Sequence, residues 1–217
     1  MDRYGFDELG GREVATGVWR WVAFHPEWKQ EVACAAIESG GRLVLIDPLL
    51  PAGSEGEAAL ERLKVGVEDE RPMDIVLTVF YHERSAGAIA ATAPGTTLWV
   101  VEEGAEKLDS PATGPFRPWD VLPGGLAALP TARVDEIVLW DAASETLFVG
   151  DVILGRGADG IELCPESWLP DGVGTADLVR SLVPLLDLPV ARILPGHGEP
   201  LLENARARLK GLLRAGT

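Results

Sequence analysis

Four apolar segments of this chain each end in a polar side chain, and this arrangement limits the folds open to it. Asp47 ends LVLID, Thr78 ends MDIVLT, Asp151 follows LFVG and His197 follows ILPG. Each segment is predicted to be a β-strand because it is short and apolar. Polar groups at the carboxyl ends of strands converge in many open sheets. We therefore predict that these side chains contribute to one functional site.

Segments with strand and helix patterns alternate along the chain. Strands are predicted at 13–24, 31–38, 42–48, 73–79, 96–101, 134–140, 146–154 and 191–194. Helices are predicted from the capping box Ser54-x-x-Glu57, over 84–93, over 102–109, from an N-cap at Thr175 to a kink or end at Pro184, and over 200–214. The Gly-rich and Pro-rich stretches 110–125 and 155–173 are predicted to be loops. Because no linker interrupts this pattern, we predict one α/β or α+β domain spanning 1–217.

Composition narrows the class of partner. The chain has 217 residues, 47% hydrophobic and 24% charged, which is enough for a core without disulfides or a structural metal. Its formal net charge of −15 disfavours nucleic acid and acidic membrane surfaces, so neither partner is expected. Two cysteines and a charged N-terminal segment that lacks a signal-peptide pattern favour the cytoplasm.

Three of the strand-end motifs resemble those of the metallo-β-lactamase fold superfamily. LVLIDP resembles its first acidic motif, LFVGD its bridging-aspartate motif and ILPGHGEP its last histidine motif. The resemblance covers about residues 12–214. It implies a four-layer αββα sandwich with a metal site along one edge between the sheets. It also implies that the chain, if it is active, is a hydrolase.

The main metal motif of that superfamily departs from its usual form in this chain. The family pattern is T-H-x-H-x-D-H-x-x-G, and Thr78 to Gly87 reads TVFYHERSAG. A further histidine of the family is replaced at Ala132. The resemblance therefore implies that most of the usual ligands are lost, at Val79, Tyr81, Glu83, Arg84 and Ala132.

The first hypothesis is that no metal binds and that Arg84 takes its place. Two carboxylates that face one cavity repel each other unless a cation lies between them, and a guanidinium can bind carboxylates through paired hydrogen bonds. We expect Arg84 to bridge Glu83 and Asp151. The chain would then be a metal-free binding or regulatory protein, or a pseudo-hydrolase, and Arg84 would attract an anionic small molecule into the cleft between the sheets.

Two alternatives remain open. A remodelled site of Glu83, Asp151, His197 and His82 could hold one divalent ion, Zn, Mn or Fe, and hydrolyse an ester, thioester or lactone. Without that role, His82 is expected at a solvent-facing spacer position. The third possibility is a structural subunit, in which a Trp-bearing face forms a homodimer.

Two other residues near the predicted site have roles that the sequence leaves partly open. Asp47 is expected to brace neighbouring loops through hydrogen bonds. Tyr81 either fills the space of a missing ligand or binds a group of the substrate.

Overall fold

The computed structural model describes residues 4–68, 72–93, 95–157 and 160–216. Short strands and helices alternate through these ranges, joined by tight turns and by 3-10 turns at Phe80–His82, Pro123–Gly125, Glu166–Trp168 and Val183–Asp187. The strands are β1 (Arg12–Ala15), β2 (Val18–His25), β3 (Gln30–Ser39), β4 (Arg42–Ile46), β5 (Met73–Val76), β6 (Thr97–Val101), β7 (Gly114–Phe116), β8 (Ala127–Pro130), β9 (Ile137–Asp141), β10 (Thr146–Val149), β11 (Ile153–Arg156), β12 (Gly160–Leu163) and β13 (Arg192–Pro195). The helices are α1 (Ser54–Glu68), α2 (Ala86–Thr92), α3 (Glu102–Ala105), α4 (Thr175–Leu182) and α5 (Ala205–Ala215).

Two main sheets carry the fold. The first has seven strands in the order β1 to β7, antiparallel from β1 to β4 and parallel from β4 to β7. The second has the order β13-β10-β9-β8, in which only β10 and β13 are parallel. Strands β11 and β12 form a separate antiparallel hairpin.

The alternation of side chains along the strands builds three apolar layers between the secondary-structure elements. In β4, Leu43 and Leu45 share a buried cluster with α1 and α2, whereas Val44 and Ile46 share one with the second sheet. The opposite face of the second sheet packs against α4 and α5. The order helix, sheet, sheet, helix follows from these contacts and confirms the predicted αββα sandwich.

Local differences from the sequence-based expectations have simple causes. Strands β7 and β12 lie inside segments that are predicted to be loops, because glycines and acidic residues there mask short apolar alternations such as Ile161 and Leu163. The predicted strand 146–154 is divided between β10 and the start of β11. Helix α4 is capped by Gly174 and not by Thr175, since the Gly174 N–H donates to the Asp177 carboxylate at 3.1 Å. The predicted effect of Pro184 is confirmed, because α4 ends at Leu182 and a 3-10 turn follows.

The two tryptophans of β2 belong to the interior side of the first sheet. Trp21 is buried, stacks on Phe6 at a centroid distance of 5.4 Å and donates its indole N–H to the Leu49 carbonyl. Trp19 is half-buried and also contacts Phe6. Neither tryptophan of β2 is fully exposed. Across the described ranges, no helix has the length and apolar character needed to cross a bilayer.

Asp74 on β5 is a buried carboxylate that joins three strands. It accepts hydrogen bonds from the guanidinium of Arg42 on β4 and, at 2.9 Å, from the indole N–H of Trp99 on β6. We expect Asp74→Ala to lower the free energy of unfolding by about 3 kcal/mol, because both donors lose their acceptor. Urea denaturation measures this loss.

The control is an ion pair on the surface. Arg156 and Glu162 pair across the β11–β12 hairpin with both side chains exposed. Glu162→Ala should cost less than about 1 kcal/mol. An equally small loss in Asp74→Ala would contradict the structural role given to Asp74.

Candidate functional site

The candidate site lies where strands of both sheets end. Asp47 follows β4, His82 closes the 3-10 turn after β5, Asp151 follows β10 and His197 follows β13. All four positions are at the carboxyl ends of their strands, at the edge between the two sheets. The structure brings these four side chains together, and the chemistry of the site follows from their contacts.

His82 is the buried centre of this group. Its Nδ1 lies 2.9 Å from Asp47 Oδ2, and its Nε2 lies 3.3 Å from Asp151 Oδ1. Asp47 also accepts hydrogen bonds from the backbone N–H and the hydroxyl of Thr78. Because a carboxylate only accepts, the Nδ1 of His82 carries the proton, and the lone pair of a neutral ring is on Nε2.

The charges around His82 favour its protonated form. Burial disfavours the imidazolium, and so does the nearby Arg84 guanidinium. The carboxylates of Asp47 and Asp151 outweigh both effects, so the pKa of His82 is raised above its ordinary value. A cation is therefore favoured at this position.

Asp151 divides its two oxygens between different partners. Oδ2 accepts a hydrogen bond of 2.8 Å from the Tyr81 hydroxyl. Oδ1 lies 3.3 Å from His82 Nε2 and 3.2 Å from His197 Nε2. Burial alone would raise the pKa of Asp151, but the two imidazoles hold it well below its usual range.

Three ligand atoms converge without satisfying one another. His82 Nε2, His197 Nε2 and Asp151 Oδ1 lie within 4.8 Å of one another. Although the Nε2 of His82 is close to Asp151 Oδ1, the geometry is not that of a hydrogen bond, and both atoms are buried without a hydrogen-bond partner. A buried unpaired donor or acceptor is costly. Two imidazole nitrogens and one carboxylate oxygen therefore fit a single divalent ion.

Glu136 and Arg133 are part of the site although the sequence did not indicate them. The buried Glu136 Oε1 accepts the backbone N–H groups of Asp151 at 2.6 Å and Val152 at 2.8 Å. Arg133 Nε lies 3.4 Å from Glu136 Oε2, and its guanidinium lies over the Tyr81 ring at 5.4 Å. A cluster of charged residues directly before the fully buried strand β9 was the available signal.

Glu83 and Arg84 do not occupy the expected positions. The Glu83 carboxylate accepts the backbone N–H groups of Asp109 and Ser110, each at 2.8 Å, and so fixes the loop after α3. Arg84 Nη1 donates to the carbonyls of Ala33 at 3.0 Å and Asp47 at 2.9 Å. Among the described residues, no ion pair joins Arg84 to Glu83 or Asp151, so the predicted bridge is absent.

The backbone after β5 explains these differences. A position-by-position match to the family pattern placed His82 at a solvent-facing spacer. Instead Phe80–His82 form a 3-10 turn, His82 is fully buried, and Arg84 has a left-handed φ of 46° that redirects its side chain. Of the four residues in the remodelled site, the structure brings together His82, Asp151 and His197 and leaves Glu83 out.

At two positions where the family pattern has a metal-binding histidine, this chain has an apolar residue that contributes to packing. Val79 is fully buried and forms an isolated β-bridge with Glu136. Ala132 is partly buried and packs against the cluster beneath α4 and α5. Neither side chain has an atom that can bind a metal.

An open cavity of about 450 Å³ borders the three converging atoms. A second cavity of about 610 Å³, which includes Arg84 and Lys107 in its wall, lies beside it. Trp28, which stacks on His25 at 4.1 Å, and Tyr81 line both. The first cavity is lined by Trp28, Gln30, Tyr81, Arg133, Asp151, Trp168 and His197.

Comparison with solved structures identifies the architecture. A metallo-β-lactamase family protein from Thermus thermophilus aligns with a TM-score of 0.64 at 17% identity, over 94% of this chain and 80% of that chain. A metallo-β-lactamase from Hirschia baltica aligns with a TM-score of 0.65 at 17% identity, over 95% and 96%. The chain has the metallo-β-lactamase fold.

The mono-zinc form of the metallo-β-lactamase FIM-1 from Pseudomonas aeruginosa also shares this fold. It aligns with a TM-score of 0.64 at 15% identity, over 95% of both chains. No protein-family model and no curated protein matches the chain. At these identities the likeness extends to the metallo-β-lactamase fold and not to a substrate.

Glu136 gives the site a measurable pH dependence of stability. Burial raises the pKa of Glu136 from 4.5 to about 7, so between these pH values the folded state holds a proton that the unfolded chain has released. The contribution of Glu136 to the free energy of unfolding therefore falls as the pH rises from 4.5 to 7, by up to about 3 kcal/mol. Glu136→Gln cannot show this fall.

Urea denaturation of metal-free protein at pH 4.5, 6 and 7.5 measures the effect. The stability of the wild type relative to Glu136→Gln should decrease steadily over this range. The surface variant Glu162→Gln should run parallel to the wild type. Parallel curves for Glu136→Gln as well would contradict a raised pKa at Glu136.

Proposed function

We propose that this chain is a hydrolase that uses one divalent metal ion held by His82, Asp151 and His197. One observation carries the proposal: His82 Nε2 and Asp151 Oδ1 are buried, close together and without hydrogen-bond partners, beside His197 Nε2. A single-metal site explains these atoms better than a bridge by Arg84, because Arg84 donates its hydrogen bonds to the backbone carbonyls of Ala33 and Asp47.

The tautomer of His82 is the first support. With its Nδ1 proton directed at Asp47, a neutral His82 presents the lone pair of Nε2 to Asp151 Oδ1 at 3.3 Å. Two acceptors at that distance in a buried site repel each other. A cation between them removes the repulsion and satisfies both atoms.

The surroundings of the three ligands are the second support. Asp47 behind His82 provides the carboxylate–histidine pair that orients a metal-bound imidazole. Tyr81 and Glu136 fix the Asp151 side chain and backbone, respectively. Three protein ligands next to an open cavity are typical of a catalytic site, whereas structural zinc sites are closed by four. Imidazole and carboxylate ligands suit Zn, and also Mn or Fe.

The residues of the chain divide the remaining tasks. A divalent ion supplies Lewis acidity, which polarises a carbonyl and makes a nucleophile available from water near neutral pH. Trp28 and Trp168 form apolar walls of the cavity. The Tyr81 hydroxyl stays protonated, because burial and the neighbouring carboxylates raise its pKa far above the ordinary value. It can therefore keep donating its hydrogen bond to Asp151.

An ester, thioester or lactone of a small acyl group is the proposed substrate class. A cavity of about 450 Å³ has the size of a small-molecule site. The FIM-1 structure is in a mono-zinc form, so a protein of this fold can hold a single zinc ion. The metallo-β-lactamase fold carries many chemistries, so β-lactams are not singled out.

A second candidate is a metal-free binding or regulatory protein for a small ligand in the same cleft. It is favoured by the raised pKa of His82. A protonated His82 can donate a hydrogen bond to Asp47 and lie next to Asp151. Its positive charge would then replace the charge that the first candidate assigns to a metal ion. The two candidates differ in metal content.

Elemental analysis of protein purified without an affinity metal, before and after incubation with zinc, manganese or iron, separates the candidates. We expect about one ion per chain, because the three ligands form one site. His82→Gln should lose the ion. His25→Gln should keep it, because His25 stacks on Trp28 and is not one of the three ligands.

The activity assay uses the loaded protein and a panel of esters, thioesters and lactones. Hydrolysis should disappear with a chelator and return with the metal. A metal content below about 0.1 per chain under every condition would overturn the hydrolase proposal and support the second candidate.

Asp47 is expected to tune the affinity of the site without binding the ion. Asp47→Asn removes the charge behind His82 and should weaken metal affinity by about 10- to 100-fold. Competition with a chromophoric chelator measures this change. The control is Asp141→Asn, which alters another buried carboxylate, one that accepts backbone N–H groups in the β9–β10 turn. Equal affinities of Asp47→Asn and the control would contradict the role of Asp47.

A further inference from the structure

We propose that Arg133 binds a carboxylate of the substrate, so that the preferred substrates carry a carboxylate near the bond to be cleaved. The proposal rests on the hydrolase function proposed above, and it adds the substrate class. Arg133 lines the cavity of about 450 Å³ together with the two ligands Asp151 and His197. Of the residues that line this cavity, Arg133 alone carries a permanent positive charge.

The charge of Arg133 is only partly compensated by the protein. Asp135 Oδ1 and Glu136 Oε2 approach the guanidinium at Nε, at 3.6 and 3.4 Å. Neither contact is a hydrogen bond, because Nε is buried without a hydrogen-bond partner. Both carboxylates make their closest approach at Nε, and the Tyr81 side chain is the other polar neighbour of the guanidinium.

The position of Arg133 is fixed before a ligand arrives. The Thr131 hydroxyl accepts the Arg133 backbone N–H and lies at 3.0 Å from the carbonyls of Arg133 and Glu136. The guanidinium packs over the Tyr81 ring at 5.4 Å. A preorganised guanidinium loses little freedom on binding, which favours recognition.

Tyr81 relates the proposed carboxylate position to the metal ligands. Its ring carries Arg133, and its hydroxyl contacts Asp151. The Tyr81 side chain therefore separates Arg133 from the metal ligands. A substrate that pairs with Arg133 through a carboxylate needs a short aliphatic spacer between that carboxylate and the bond to be cleaved. A planar monoanionic carboxylate matches the guanidinium, and it meets less repulsion from Asp135, Glu136 and Asp151 than a phosphate dianion would.

The test compares two esters that differ in one group. The probes are the mono-4-nitrophenyl ester of glutaric acid and the 4-nitrophenyl ester of pentanoic acid, assayed with metal-loaded protein. The wild type should favour the carboxylate-bearing ester in kcat/KM, and Arg133→Gln should lose this preference by about 10- to 100-fold, mainly through KM. Arg133→Lys should retain part of it, because lysine keeps the charge but not the planar fork.

Two checks separate recognition from damage to the fold. Arg156→Gln, an exposed arginine on the β11–β12 hairpin, should keep the wild-type preference. Thermal unfolding shows whether Arg133→Gln and Arg133→Lys remain folded, and the lysine variant carries the test if the glutamine variant does not. Equal preference in wild type and either folded Arg133 variant would overturn the proposal.

A binding measurement distinguishes failure of this proposal from failure of the hydrolase function. Glutarate and glutaramide are titrated into metal-free and metal-loaded protein, and the fluorescence of Trp28 and Trp168 in the cavity reports binding. Glutarate binding that depends on Arg133, with no ester hydrolysis, would support the anion site and overturn the hydrolase. Hydrolysis with no preference, and glutarate binding unchanged in Arg133→Gln, would overturn the anion site alone.

Discussion

The contact between Asp47 and His82 is the interaction on which the site depends. It holds the imidazole proton on Nδ1 and turns Nε2 towards Asp151, at the point where the two sheets meet. Asp47 can do this because the Thr78 backbone N–H and hydroxyl already fix its carboxylate. Two strand ends and one 3-10 turn thus cooperate to keep an acceptor pair buried and in need of a cation.

The fold and the edge where the site lies could be predicted from the sequence. Apolar segments ending at Asp47, Asp151 and His197 report local properties, namely alternation and strand termination, and these do not depend on distant partners. The two-sheet core then brings the strand ends together. What the sequence motif could not indicate was the backbone path between Thr78 and Arg84, where one 3-10 turn exchanges the inward positions of His82 and Glu83.

Arg133 and Glu136 were missed for a different physical reason. Glu136 binds the backbone of Asp151 and Val152 fifteen and sixteen positions later in the chain, and a contact of this kind exists only after β9 and β10 have paired. Glu136 and Arg133 are not metal ligands, so a motif made of metal ligands does not include them. The carboxylate of Glu136 and the guanidinium of Arg133 support the site from the segment just before β9.

Trp28 and Tyr81 stand edge to face, with centroids 6.4 Å apart, at the boundary of the two cavities. Trp28 lies in the turn between β2 and β3. Its ring stacks on His25, and its backbone N–H donates a hydrogen bond to His25 Nδ1. The indole that separates the cavities therefore belongs to a surface turn, whereas Tyr81 is anchored by its hydrogen bond to the buried Asp151. Because Trp28 lines both cavities, the wall between them depends on a side chain of a hairpin turn as well as on the two sheets.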